Sequence, residues 1–156
     1  MALLRYIFIM VVVIFLAGCQ VKPVNIDFNN LNRPDKPNYF LACPKDKCNI
    51  KPDVIVPCYA KSVDNLKQSV LDYIKQQPRY TLLSESDNQL QYVQRSLLFR
   101  FPDYITFQFY DYSENNSSLA ILSYSKYGYS DFGVNKARVT GILNYLNGHL
   151  KLCPET

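Results

Sequence analysis

The chain contains no tryptophan and only one histidine, His149. A lone imidazole leaves no second histidine for a metal site, and any Ser-His-Asp triad would have to use this one residue. It falls in the last turn of an amphipathic stretch, where a cation favours the helix dipole and nothing local orients it as a base. Glycine is also scarce, with five copies, and none stands in a phosphate-cradling or dinucleotide-binding loop. Lys and Arg total 17 but are scattered along the chain, so no cationic block marks a nucleic-acid surface. No apolar run reaches the ~20 residues that a membrane-spanning helix needs. These absences argue against nucleotide-dependent enzymes, histidine metal centres and nucleic-acid binders, and they suggest no cofactor.

What the chain does contain is informative at its start. Arg5 precedes an almost unbroken apolar run from Tyr6 to Phe15, followed by Leu16-Ala17-Gly18-Cys19. A charged n-region, a short apolar core and small residues before the cut form a secretory signal. Its ending resembles a bacterial lipobox. The expectation is therefore removal of residues 1–18 and acylation of Cys19, with the acyl chains as the membrane contact rather than any surface patch. Gln20 in place of Asp fits the pattern of lipoproteins sent to the outer membrane, which places the domain in the bacterial envelope on the periplasmic face. Residues 19–38 are rich in Asn and hold Pro23, Pro34 and Pro37. They read as a flexible linker reaching roughly 60 Å when extended, ahead of a domain over residues 39–156.

Four further cysteines remain: Cys43, Cys48, Cys58 and Cys153. An even number in an oxidising compartment points to disulfides, with three possible pairings. Cys43–Cys48 joins near neighbours, and Cys58–Cys153 would clamp the C-terminus to the start of the domain, so this pairing is favoured. The rival is a four-thiolate zinc site, for which only Cys43 and Cys48 have plausible spacing.

Hydrophobic residues at 48% and aromatics at 14% indicate a folded domain. Residues 39–59, with Pro44, Pro52 and Pro57, read as irregular and stapled by cysteine. Ser62 can cap a helix whose apolar positions Val63, Leu66, Val70, Leu71 and Ile74 follow a 3.6 period, ended by Pro78. Strand-like stretches follow at 80–84, 90–96, 104–111 and 119–125. In the third, Ile105, Phe107 and Phe109 alternate with Thr106, Gln108 and Tyr110. A last helix over 134–150 carries Val139, Ile142, Leu143, Leu146 and Leu150 as its buried stripe. The expected fold is α+β, a four-stranded antiparallel meander with two helices packed on one face.

Between the last strand and last helix, residues 123–138 gather hydroxyls, two glycines, an acid, an amide and three cations. The run Tyr127-Gly-Tyr-Ser-Asp-Phe-Gly-Val-Asn-Lys-Ala-Arg138, with Phe99-Arg-Phe-Pro-Asp103 and the early Cys43-Pro44 and Cys48-Asn49 pieces, resembles the DUF1499 family. That family usually carries Arg where this chain has Lys126, and often an acid where it has Tyr104. The resemblance implies domain limits and no particular reaction.

The residues of the turn admit two readings. In one, Gly128 and Gly133 permit a tight turn, Asp131 or Ser130 caps the helix, and Arg138 pairs with Asp131 or Asp103. In the other, Lys126, Ser130, Asp131, Asn135 and Arg138 bind a small anionic group at the helix start. Ser123-Tyr-Ser-Lys126 matches a Ser-x-x-Lys nucleophile pattern, but it lies on a strand and lacks the companion motifs. No catalytic residue is assigned. The expected role is a monomeric binding or scaffolding module facing an envelope protein or glycan, with an envelope hydrolase as the alternative.

Overall fold

The computed structural model describes residues 21–154. The signal segment 1–18 and the lipidation site Cys19 lie outside the described residues. Six strands and two helices follow in the order β1 (Tyr39–Cys43), β2 (Val54–Ile55), α1 (Val63–Lys75), β3 (Tyr80–Glu85), β4 (Gln89–Arg95), β5 (Pro102–Ser113), β6 (Asn116–Ser125) and α2 (Val134–His149).

The strands β3 to β6 form the expected antiparallel meander, with Tyr92 opposite Ile105 and Ile105 opposite Ser123. The sheet does not stop at four strands. Its order is β2-β1-β6-β5-β4-β3, and the β1–β2 pairing is parallel, so the fold is α+β with a six-stranded mixed sheet. The prolines around β1 predict an irregular segment there. The strand is nonetheless inserted between β2 and β6, and Leu41, Ala42 and Cys43 are all fully buried. A strand covered on both faces reads as a short apolar run without alternation, which is why its period gives no signal.

Both helices cover one face. The Ser62 side chain accepts a hydrogen bond from the Asn65 amide and starts α1, whose Leu66, Val70 and Ile74 face inward. From α2, Val139, Ile142, Leu143 and Leu146 join them over Ile105, Phe107, Phe109, Leu119 and Ile121. The alternation of β5 thus sorts its side chains as the sequence implies.

The opposite face is covered by the segment expected to be a linker. Phe28 and Leu31 are buried against Leu41, Ala120 and Leu122. The Val24 amide donates to Gln91 Oε1 at 2.7 Å, Gln91 Nε2 donates to the Val24 carbonyl and to Thr106, and Gln89 donates to the Ile26 carbonyl. Residues 22–38 are therefore part of the domain rather than a 60 Å tether. Their polar composition hides this because side-chain amides of the sheet, not a repeated apolar pattern, hold the backbone down.

Both favoured disulfides form, Cys43–Cys48 and Cys58–Cys153. Buried and half-buried tyrosines pack against both core clusters. Burial pushes the phenols of Tyr59, Tyr80, Tyr110 and Tyr124 from 10.0 up to about 12. Their neutral form is favoured in the fold, so the contribution to stability is complete below pH 10 and is lost as pH rises from there through about 12. An alkaline titration should show delayed tyrosinate absorbance appearing together with loss of circular dichroism. Ionisation of these phenols near their ordinary value in an intact fold would contradict this.

Candidate functional site

The segment singled out by sequence joins the end of β6 to the start of α2. Its turn needs three left-handed residues, Gly128 (φ 91°), Phe132 (φ 53°) and Gly133 (φ 82°). A non-glycine residue at such φ is strained, and here two side chains fix the loop around Phe132. The Ser130 hydroxyl accepts from the Phe132 amide at 3.2 Å. The two Asp131 carboxylate oxygens accept from the Gly133 amide at 3.1 Å and the Asn135 amide at 2.6 Å. Gly133 occupies the N-cap position and has no side chain to offer. Asp131 satisfies the orphan donors from two residues earlier, with its charge at the positive end of the helix. Asp131→Ala should cost about 1 kcal/mol in chemical denaturation, the ordinary loss for a cap.

In the first turn of α2, Asn135 is fully buried. Its Nδ2 donates to the Asn38 carbonyl at 2.9 Å and to Ser125 Oγ at 3.2 Å. Its Oδ1 accepts from Ser123 Oγ at 2.7 Å and from the Arg138 guanidinium. The Asn38 side chain in turn donates to the Ser125 and Gly128 carbonyls. The start of β1, the end of β6 and the first turn of α2 are thereby tied by one amide pair.

Arg138 lies at the centre of this arrangement. Its Nη2 contacts Asp103 Oδ2 at 2.7 Å, and the two side chains are 6% and 13% exposed. Nε donates to Gln94 Oε1 at 2.8 Å, and Nη1 donates to Ser123 Oγ at 2.9 Å and to Asn135. The guanidinium charge also partly offsets the rise that burial causes in the Tyr80 phenol. Four side chains, Asp103, Gln94, Ser123 and Asn135, thus engage all three guanidinium nitrogens, four of the five N–H donors. The donors needed to grip an incoming anion are already engaged.

Of the expected site residues, Asp131, Asn135 and Arg138 are therefore brought together. Ser130 serves the local turn. Lys126 stands apart, with its Nζ 5.5 Å from the centre of the Tyr127 ring. Asp103 and Asp131, the nearest candidates for paired acid–base work, have separate duties: one neutralises Arg138 and the other holds backbone amides. Sequence reasoning missed Asn38, Gln94 and Ser123 as partners. Only sheet register could have found them, since Asp103 pairs with both Gln94 and Ser125 across its neighbours. A 540 Å³ cleft lies at the far end of the sheet, lined by residues 25–29, Asn88 and residues 108–111. Among the described residues, no group of three or more His, Cys, Asp or Glu side chains could hold a metal ion.

Residues 31–146 match the family described as a protein of unknown function, DUF1499. No curated protein and no solved structure matches the chain. The family match begins at Leu31, buried on the second face, and ends at Leu146, the last buried residue of α2. It spans the sheet, α1, α2 up to Leu146 and every member of the Arg138 network. The chain belongs to the DUF1499 family.

Proposed function

We propose that the chain is a lipid-tethered bacterial envelope protein whose domain binds or scaffolds rather than catalyses. One observation supports the non-catalytic part: the acid, amide and guanidinium of the 123–138 segment are bonded to their own chain. A catalytic acid or base must reach a substrate proton. Asp131 commits both oxygens to helix amides, and Asp103 faces Arg138. The tethering part rests on Leu16-Ala17-Gly18-Cys19.

Two measurements test the reading. Cells expressing the full chain with labelled palmitate should incorporate label, and Cys19→Ser should abolish it. Label that persists in Cys19→Ser would contradict tethering by this residue. Screening the full chain against envelope esters, amides and glycosides should give no turnover. Turnover that disappears in Asp131→Ala, with circular dichroism unchanged, would defeat the binding-module reading.

A further inference from the structure

The largest side chains left uncovered gather at one end of the sheet. Between β4 and β5, the loop 96–101 exposes Leu97 (71%), Leu98 (81%) and Phe99 (73%), with Phe101 beside them. This loop is built rather than loose. The Ser96 amide donates to the Phe101 carbonyl, the Phe101 amide donates to Ser96 Oγ, and Arg100 takes a left-handed φ of 54°. Phe99 stacks on Phe101 at 5.6 Å, and Phe101 meets Tyr127 at 6.2 Å, which joins the loop to the β6–α2 turn with its almost wholly exposed Phe132. A contiguous apolar patch of this kind on a rigid turn calls for a partner, unlike scattered single residues.

Charge and chain path together indicate which partner. Arg79 precedes β3 at this end, Arg100 lies within the loop, and Lys126 follows β6. None of them has a carboxylate within ion-pair distance among the described residues. Of the acids at this end, Asp103 is engaged by Arg138 and Asp131 by the helix amides, while Asp35 is exposed in the cleft beside Tyr129 and next to Lys36. The hairpin turns at the opposite end carry Asp87 and Glu114 instead. The N-terminal segment leads to the same place. Going backward, Ile26 sits at Gln89, Val24 at Gln91, and the Lys22 carbonyl accepts from the Tyr104 hydroxyl at 3.2 Å. Tyr104 lies two residues past the start of β5, beside the apolar loop. Cys19 is three residues before Lys22, so covalent geometry keeps it within about 11 Å of that point.

We propose that this end of the domain is a second membrane contact, docked on an anionic lipid surface. It rests on the tethering reading above and adds a surface to the acyl chains. Leu97, Leu98 and Phe99 enter the boundary between headgroups and acyl chains, and Arg79, Arg100 and Lys126 meet lipid phosphates. A domain attached within one short span of its lipid, with an apolar, cationic end facing that lipid, lies on the bilayer rather than above it.

The absence of tryptophan supplies the test. Phe99→Trp places a single indole reporter in the loop, and Tyr112→Trp, in a separate variant, places one at the opposite end of the sheet. Each acylated full chain is placed in phosphatidylethanolamine–phosphatidylglycerol vesicles whose acyl chains carry bromine. Flotation reads the tether, and quenching reads the loop. The loop reporter should lose about half or more of its emission while the distal reporter loses little. With phosphatidylcholine alone, quenching of the loop reporter should fall by about twofold or more. A chain that floats with its loop reporter no more quenched than the distal one overturns the docking and leaves the tether standing. A chain that does not float overturns both. Equal quenching of the loop reporter in both lipids overturns docking on an anionic surface. Loop emission that shifts blue with protein concentration, without bromine quenching, places a second copy on the patch and also overturns the proposal.

Discussion

Replacing Arg138 by alanine should destabilise the domain by about 3–5 kcal/mol, the usual consequence of removing one member of a buried ion pair. The reason lies in what remains. Asp103, its side chain only 13% exposed, would be left without its counter-ion. Gln94 Oε1, Ser123 Oγ and Asn135 Oδ1 would each lose a donor. A loss of that size is a large share of the roughly 5–15 kcal/mol that holds a typical domain together. The pair itself need not be net stabilising, because desolvating two charges offsets much of their attraction. Arg138→Met combined with Asp103→Leu should therefore recover much of the loss that Arg138→Ala alone produces. Urea denaturation of the single variants and the double variant measures the coupling directly. A loss below about 1 kcal/mol in Arg138→Ala, the range of an exposed pair, would mean that water reaches the guanidinium freely and that the network is not structural.

Different kinds of information are legible in the sequence at different places. The helices show themselves through Leu66, Val70 and Ile74, and through Val139, Ile142 and Leu146, because each has one buried stripe and one solvated face. The alternation of β5 is equally plain. The strand β1 is not, since Tyr39–Cys43 is packed on both sides and pairs with β6, a partner far along the chain. Residues 22–38 look like linker because their order depends on Gln89, Gln91 and Tyr104, side chains that carry no local mark of that role.

The 123–138 segment is legible as special but ambiguous in meaning. Its acid, amide and cation are the same residue types that would bind an anion or lock a turn. Register decides between these uses, because it brings Asp103, Gln94 and Ser123 around Arg138. The apolar loop shows the converse limit. Leu97-Leu98-Phe99 carries no sequence mark of exposure, and the topology places it at a strand connection, outside both covered faces.

Breaking the Cys58–Cys153 bridge should be the other large loss, and its size can be set against that of Cys43–Cys48 within one protein. The two bridges span sequence separations of 95 and 5. In the chain-entropy treatment, the long loop contributes about 4–5 kcal/mol and the short one about 2 kcal/mol, because the unfolded chain loses far more freedom when distant residues are tied. The folded side points the same way. The C-terminal segment is attached through few other links: the Cys153 amide to the Cys58 carbonyl, the Ala60 amide to the Lys151 carbonyl, and a lone bridge from Tyr59 to Leu152. Those links surround Tyr59, which is fully buried and whose hydroxyl donates to Asn147 of α2 at 2.8 Å. Cutting the bridge thus frees the strap that closes the core over α2. The double alanine variant at positions 58 and 153 should lose roughly twice the stability of the double variant at 43 and 48 in oxidised urea melts. Under reducing conditions the native chain should fall toward the stability of the variant lacking both bridges. If the short bridge proves the costlier one to remove, the strap is held by packing and backbone bonds rather than by its covalent link.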